Sequence, residues 1–196
     1  GLRSSAPSYA VDAHVQDSGL ELLQTQRGTL KGSLLGEIDL TVTPAGARLL
    51  AQRLASPLSE PAAINRRLDD VEALAGDAVL GIKLRAALTA VPDLTRALTR
   101  LMLERGGPRD LRAIAAAILG ARELGVLLGN LTYAPEGIVA LGETLRASPQ
   151  NLAAELDAAI EPEPPLAAND GGFVRQGYDD ELDAERPQAS LLVGGQ

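Results

Sequence analysis

The sequence predicts an all-α protein, an irregular multi-helix domain of six or more helices, and three observations carry that expectation. Apolar residues recur three and four positions apart in segment after segment, the period of a helix face. Polar capping residues followed by proline mark the segment starts, because the cap satisfies orphan N–H groups and proline's missing donor is no loss in a first turn. The 196 residues are 45% hydrophobic, yet they include only one Phe, three Tyr and no Trp. An apolar content built on Ala and Leu suits packed helices, since strands draw on β-branched and aromatic side chains.

The elements follow in order. Thr43-Pro44 opens a helix with Ala47, Leu50 and Leu54 on its inner face. Ser59 is expected to cap the next, with Pro61 in the first turn and Ile64, Leu68, Val71 and Ala75 turned inward. Gly76-Asp77 stops it and starts another, carrying Leu80, Leu84, Leu88 and Val91. Pro92-Asp93 begins a helix with Leu94, Leu98, Leu101 and Met102 inside, and Gly106-Gly107-Pro108 breaks it. From Pro108 a long apolar helix runs to about Leu128. Gly120, Gly125 and Gly129 weaken it, each by roughly 1 kcal/mol against alanine. They read as a fraying, irregular second half or as places of close helix approach.

Pro135 and Ser148-Pro149 open two further helices, the second holding Leu152, Leu156 and Ile160 before the proline-rich stretch 161–165 ends it. Asn169-Asp170-Gly171-Gly172 is turn chemistry, and Phe173-Val174-Arg175 a short extended piece. An acidic helix start follows at Asp179–Arg186, with Pro187 expected to cut it off. No period of 20–50 residues is evident, which excludes a helical repeat array.

Charge and composition narrow the function. The net charge is −8, and the eighteen basic residues are scattered. Phosphate neutralisation needs clustered Lys and Arg, so this chain is not expected to bind nucleic acid by itself. It has no Cys and one His, His14, which removes disulfides, thiolate metal sites and multi-histidine sites, and fits a cytoplasmic protein. Leu111–Leu128 is interrupted by Arg112, Arg122 and Glu123, too charged for a membrane span. Residues 1–9 read as a cloning remnant or disordered segment, 10–186 as the helical domain, and 187–196 as a disordered or truncated tail.

Candidate chemistry is sparse. There is no G-x-x-x-x-G-K-[ST] and no G-x-G-x-x-G, so no loop is expected to cradle a nucleotide. Gly28, Gly32, Gly106, Gly107, Gly171 and Gly172 fall in breaks and read as turns. Asp179, Asp180, Glu181, Asp183 and Glu185 lack calcium-loop spacing and read as an acidic first turn favoured by the helix dipole. Arg109 and Asp110, at a helix start, read either as an interface pair or as Asp110 complementing that dipole. Gly46, early in a helix, reads either as a tolerated N-terminal glycine or as room for a close neighbour, another helix or the 170–172 turn. Arg48 is then placed to pair with Asp39 or with the acidic segment after Tyr178. The sequence therefore assigns this chain no catalytic, no cofactor-binding and no metal-binding residue, and it is not expected to be an enzyme by itself.

Residues 32–57, GSLLGEIDLTVTPAGARLLAQRLASP, resemble the opening of the core (lever) domain of the MutS family of bacterial DNA mismatch-repair ATPases. The family pattern there is G-S-L-L-x-x-[IL]-D-x-T-V-T-x-x-G-x-R-L-L. Asp39, Thr41, Thr43, Gly46 and Arg48 fall where that pattern has them. Pro61–Glu72, PAAINRRLDDVE, is similar to P-x-x-I-x-x-R-L-D-x-V-E. Pro92–Leu111, PDLTRALTRLMLERGGPRDL, resembles the block that ends P-R-D-L, and Asp170–Leu182 with Arg186 resembles D-G-G-x-I-x-x-G-Y-x-x-E-L-D-x-x-R. The blocks keep the family's order over about residues 10–186. The start departs from the pattern: Asp12–Leu22 lacks the usual Thr and has one residue extra.

The resemblance implies a structural transmission module that couples nucleotide state to DNA grip within a larger protein. Its partners are then that protein's connector, clamp and ATPase domains, in a homodimer that uses ATP and Mg and meets mismatched DNA through other domains, with no membrane involved. The alternative is a stand-alone helical protein–protein interaction module derived from this domain.

Overall fold

The computed structural model describes residues 21–25 and 28–193, with side chains to Arg186. The residue 1–9 segment, His14 and the entry segment up to residue 20 lie outside the described residues. Nine helices follow one another among those described: α1 (Leu34–Ile38), α2 (Pro44–Ala55), α3 (Pro61–Ala75), α4 (Ala78–Ala90), α5 (Leu94–Met102), α6 (Pro108–Leu128), α7 (Glu136–Arg146), α8 (Gln150–Ala159) and α9 (Asp180–Val193). A 3-10 turn occupies Ala168–Asp170. The extended piece expected at Phe173–Arg175 amounts to one antiparallel bridge, Ile160 to Val174. The fold is all-α.

The chain forms two compact units, one of residues 1–89 with 124–143, the other of 90–123 with 144–196. In the first, Leu35, Leu80, Leu124, Leu128 and Ile138 are buried. Helix starts there are pinned as the sequence suggests: Thr43 Oγ1 accepts from Gly46 N at 3.0 Å and Asp77 Oδ1 from Leu80 N at 2.9 Å. Asp70 of α3 turns toward α7, where a Cβ on Gly137 would stand 2.6 Å from its carboxylate. Glycine at 137 lets that carboxylate close on the positive end of α7.

In the second unit the core is Ala97, Ile114, Ile118 and Ala153, with Leu101, Ala113 and Leu156 packed against it. Alanines at 97 and 153 bring α5 and α8 close to α6. Gly120 serves the same end, since a Cβ there would lie 2.6 Å from Val91 Cγ2. The second half of α6 is continuous helix to Leu128, so close approach, not fraying, accounts for Gly120.

Four local expectations are corrected. The cap of α3 is Glu60, without a side-chain bond, not Ser59. On α3 the inward face runs through Ile64, Arg67, Asp70 and Leu74, while Leu68 and Val71 are 57% and 56% exposed. The inward face lies about one residue from the apolar count, and it sets Asp70 against Gly137 of α7. On α5, Ala97 and Leu101 pack inward and Met102 is 83% exposed, because a small residue at 97 permits the closer packing. Pro187 does not end α9, which runs on to Val193; the missing donor costs one i→i−4 bond, and the helix continues through it.

Candidate functional site

Three of the four blocks that carried the family resemblance lie at joints between helices, and the fourth, Pro61–Glu72, lies within α3. At the first joint, Ser33 is buried; its hydroxyl donates to the Leu30 carbonyl at 2.6 Å and accepts from Gly36 N at 3.1 Å. A Cβ on Gly36 would overlap the Leu30 carbonyl oxygen, so only glycine fits at that step of α1. Asp39 follows as the cap of α1, and its Oδ1 accepts from the Thr41 hydroxyl at 2.6 Å and the Thr41 amide at 2.9 Å. Those two bonds, the hydroxyl first, hold its carboxyl below the usual carboxylate range. Thr43 then caps α2. The nearest atoms to a Cβ on Gly46 are Thr43 Oγ1 at 3.0 Å and Thr41 Cβ at 3.4 Å. Gly46 therefore makes room for its own cap, in place of the neighbouring helix expected.

The second joint is the elbow between α5 and α6. Asp93 caps α5 through Arg96 N at 3.2 Å. At the other end, Glu104 N donates to Leu101 O and Arg105 N to Arg100 O, the paired bonds of a Schellman end. Glu104 takes the left-handed position with φ 55°, where glycine is the usual choice. Arg100 Nε then donates to both oxygens of Asp110 at 3.2 and 3.1 Å, while its Nη2 reaches Arg105 O at 2.8 Å. Asp110 Oδ2 also accepts from Gly107 N at 2.9 Å. One carboxylate thus caps α6 and clasps α5. Arg109 Nε donates to Pro164 O at 3.0 Å, and a Cβ on Gly107 would lie 2.9 Å from Leu166 O, so the proline-rich stretch closes the elbow from its third side.

The third joint ties α8 to α9. Arg175 donates from its amide to Ala159 O and from Nη2 to Ile160 O, capping the carbonyl end of α8. Gly171, Gly172 and Gly177 have φ of 68°, 64° and 85°, the left-handed region that glycine adopts without steric cost. Asp179 Oδ1 accepts from Leu182 N at 2.9 Å, and Asp183 Oδ2 from Gly177 N at 2.6 Å. Arg186 pairs with Asp183 at 3.2 Å and donates to Val174 O. Asp179 and Asp183 of the acidic run are thus spent on capping and pairing. Among the described residues no group of three or more His, Cys, Asp and Glu is placed to hold a metal ion.

Sequence reasoning assigned no site residue. It also left Asp110 between an interface pair with Arg109 and a helix-dipole role; in the structure Asp110 completes the α6 start and pairs with Arg100 inside the chain, while Arg109 bonds to Pro164 O. The signal was available as a ten-residue spacing of opposite charges across a Gly-Gly-Pro break, the distance at which two consecutive helices fold back on one another.

Family comparison settles what these joints belong to. The family model described as MutS domain III matches residues 18–191. The chain belongs to the MutS domain III family. It is 47% identical over 183 residues to a DNA mismatch repair protein MutS of Nitrobacter winogradskyi, covering 93% of this chain and 20% of that protein. Against the MutS protein of Rhodopseudomonas palustris strain BisB5 it is 48% identical over 192 residues, 97% of the chain and 21% of the relative. The Rhizobium meliloti MutS protein gives 43% over 196 residues, 98% and 21%. This domain III chain thus spans about a fifth of the length of the curated relatives it matches. Its three joints fall in three of the blocks by which the domain was recognised; caps occupy all three, and ion pairs hold the second and the third.

Proposed function

We propose that this chain is the transmission module of a MutS-type mismatch-repair protein, coupling nucleotide state to grip on mismatched DNA, and carries no catalytic chemistry of its own. The parent is then an ATPase that uses ATP and Mg and acts as a cytoplasmic homodimer. Its connector, clamp and ATPase domains are the partners of this one. No helix among the described residues is long and apolar enough to cross a membrane. The observation that carries the proposal is the elbow: Asp110 bonds at once to Arg100 of α5 and to Gly107 N at the α6 start. That carboxylate links α5 to the start of α6. Coupling between distant sites requires such connected elements, each biased by both sites.

The test uses the full-length protein from the reading frame that contains this segment. Asp110→Asn keeps the shape and removes the charge of the clasp. Mismatch affinity without nucleotide and steady-state ATP hydrolysis should stay near their parental values, whereas ATP-driven release from mismatched DNA should slow by about tenfold, within the usual span of coupling free energies. Release at the parental rate from a folded variant would contradict the proposal.

A further inference from the structure

Asp170-Gly171, at the third joint, is the single Asp-Gly step in the sequence, which has no Asn-Gly step; every other aspartate is followed by a residue with a side chain. The turn demands this neighbour. Gly171 and Gly172 have φ of 68° and 64°, a region in which a Cβ is costly. Beyond the adjacent residues, no atom lies within 4 Å of a Cβ built on either glycine, and residues 166–172 are all exposed. Hydrogen bonds rather than packing therefore hold the turn. Asp170 N donates to Ala167 O at 3.2 Å, Gly171 N donates to Ala168 O at 3.1 Å, and Asp170 Oδ2 accepts from Ala167 N at 3.2 Å. Those bonds engage both groups of one intramolecular reaction, the Asp170 carboxyl and the Gly171 amide.

We propose that Asp170 is a site of spontaneous isomerisation to isoaspartate, gated by opening of the 168–172 turn. The Gly171 nitrogen bonds to Asp170 Cγ, and the carboxyl hydroxyl leaves with the amide proton as water, closing a succinimide ring. Water then adds at one ring carbonyl and breaks its C–N bond. Cleavage at Cγ restores aspartate; cleavage at the backbone carbonyl leaves isoaspartate, with the main chain running through Cβ and Cγ. One water is lost and one gained, so no co-reactant is needed. The side chain that follows every other aspartate crowds the attacking nitrogen, and Gly171 offers none. The folded turn restrains the reaction, because that nitrogen is tied to Ala168 O and ring closure takes Asp170 out of its 3-10 conformation. Local opening releases both groups, and it costs least where few contacts are buried. Isoaspartate lengthens the main chain by one methylene just ahead of Phe173. The bonds from Glu161 N to Phe173 O and from Arg175 N to Ala159 O, which join this stretch to the end of α8, are thereby displaced. The modification loosens the third joint.

The experiment incubates the full-length protein in water enriched in oxygen-18, natively and in guanidinium, and then digests it with trypsin in ordinary water. Each passage through the ring leaves one heavy oxygen on residue 170, located by fragmentation of the tryptic peptide Ala147–Arg175. A carboxyl methyltransferase specific for isoaspartate, with S-adenosylmethionine, confirms the product. Native labelling should be measurable and at least about tenfold slower than in guanidinium, as a reaction gated by local opening requires. Gly172→Ala meets no neighbour but strains the turn, so native labelling should rise about fivefold or more against its own unfolded rate. Equal native and unfolded rates overturn the proposal by removing the gate. Absence of native label after complete turnover in guanidinium overturns it by removing the site from the folded molecule. A Gly172→Ala rate equal to the parental one overturns it by separating the reaction from the turn. The readout involves neither ATP nor DNA, so it stands or falls apart from the coupling test.

Discussion

Helices α3 and α6 were equally legible as helices, yet the structure uses them in opposite ways. α6 buries Ile114, Ala115, Ala117, Ile118, Leu124 and Leu128, while no residue of α3 is buried. At its start, α6 is capped by Asp110 through Gly107 N and held by Asp110 and Arg109 through bonds to two other segments, α5 and the proline-rich stretch. The start of α3 has no side-chain cap at all. Periodicity fixes that a helix forms. The side that packs is decided by what clasps the helix ends and by where small residues permit approach.

The contrast predicts a steep gradient of mutational cost. Ile118→Ala should be the most damaging change, lowering stability by about 2–4 kcal/mol through lost burial and a residual cavity between α5, α6 and α8. Denaturant unfolding of the 196-residue chain measures it; a loss below about 1 kcal/mol would mean that the core relaxes around the gap. Leu68→Ser on α3 should change stability by no more than about 0.5 kcal/mol, as exposed positions do. A large loss at Leu68 would break the comparison by showing that α3 is packed on the side assigned to solvent.

The fold class and most helix starts were open to reading because caps, prolines and spacing are local properties. Thr43, Asp77 and Asp93 act through bonds to residues three positions on, and sequence shows such bonds directly. The inward faces of α3 and α5 were misjudged because apolar counting cannot weigh where small residues such as Gly137 and Ala97 let neighbouring helices approach. Pro187 misled in the same way: a breaker by propensity, it sits in a helix whose preceding turns are already fixed by Asp179, Asp183 and Arg186. The joints were visible as motifs before their chemistry was. Gly106 and Gly107 read as plain turn glycines, and only the structure reveals that one faces the Leu101 side chain and the other the Leu166 carbonyl. The exposed α5 stripe of Leu94, Leu98 and Met102 was not legible, since periodicity had placed it inside.

If the residues that mark the family serve as joints, Arg100 and Asp110 must act as one unit. Asp110 is well covered and Arg100 about half exposed, with side-chain exposures of 16% and 44%, so the pair is partly screened and its net worth modest. A double-mutant cycle of Arg100→Ala, Asp110→Ala and both together, followed by denaturant unfolding, measures that unity directly. The joint predicts a double variant less destabilised than the sum of the singles, by at least about 0.5 kcal/mol of coupling. Strict additivity would contradict it, leaving Asp110 a simple helix cap and Arg100 a surface residue.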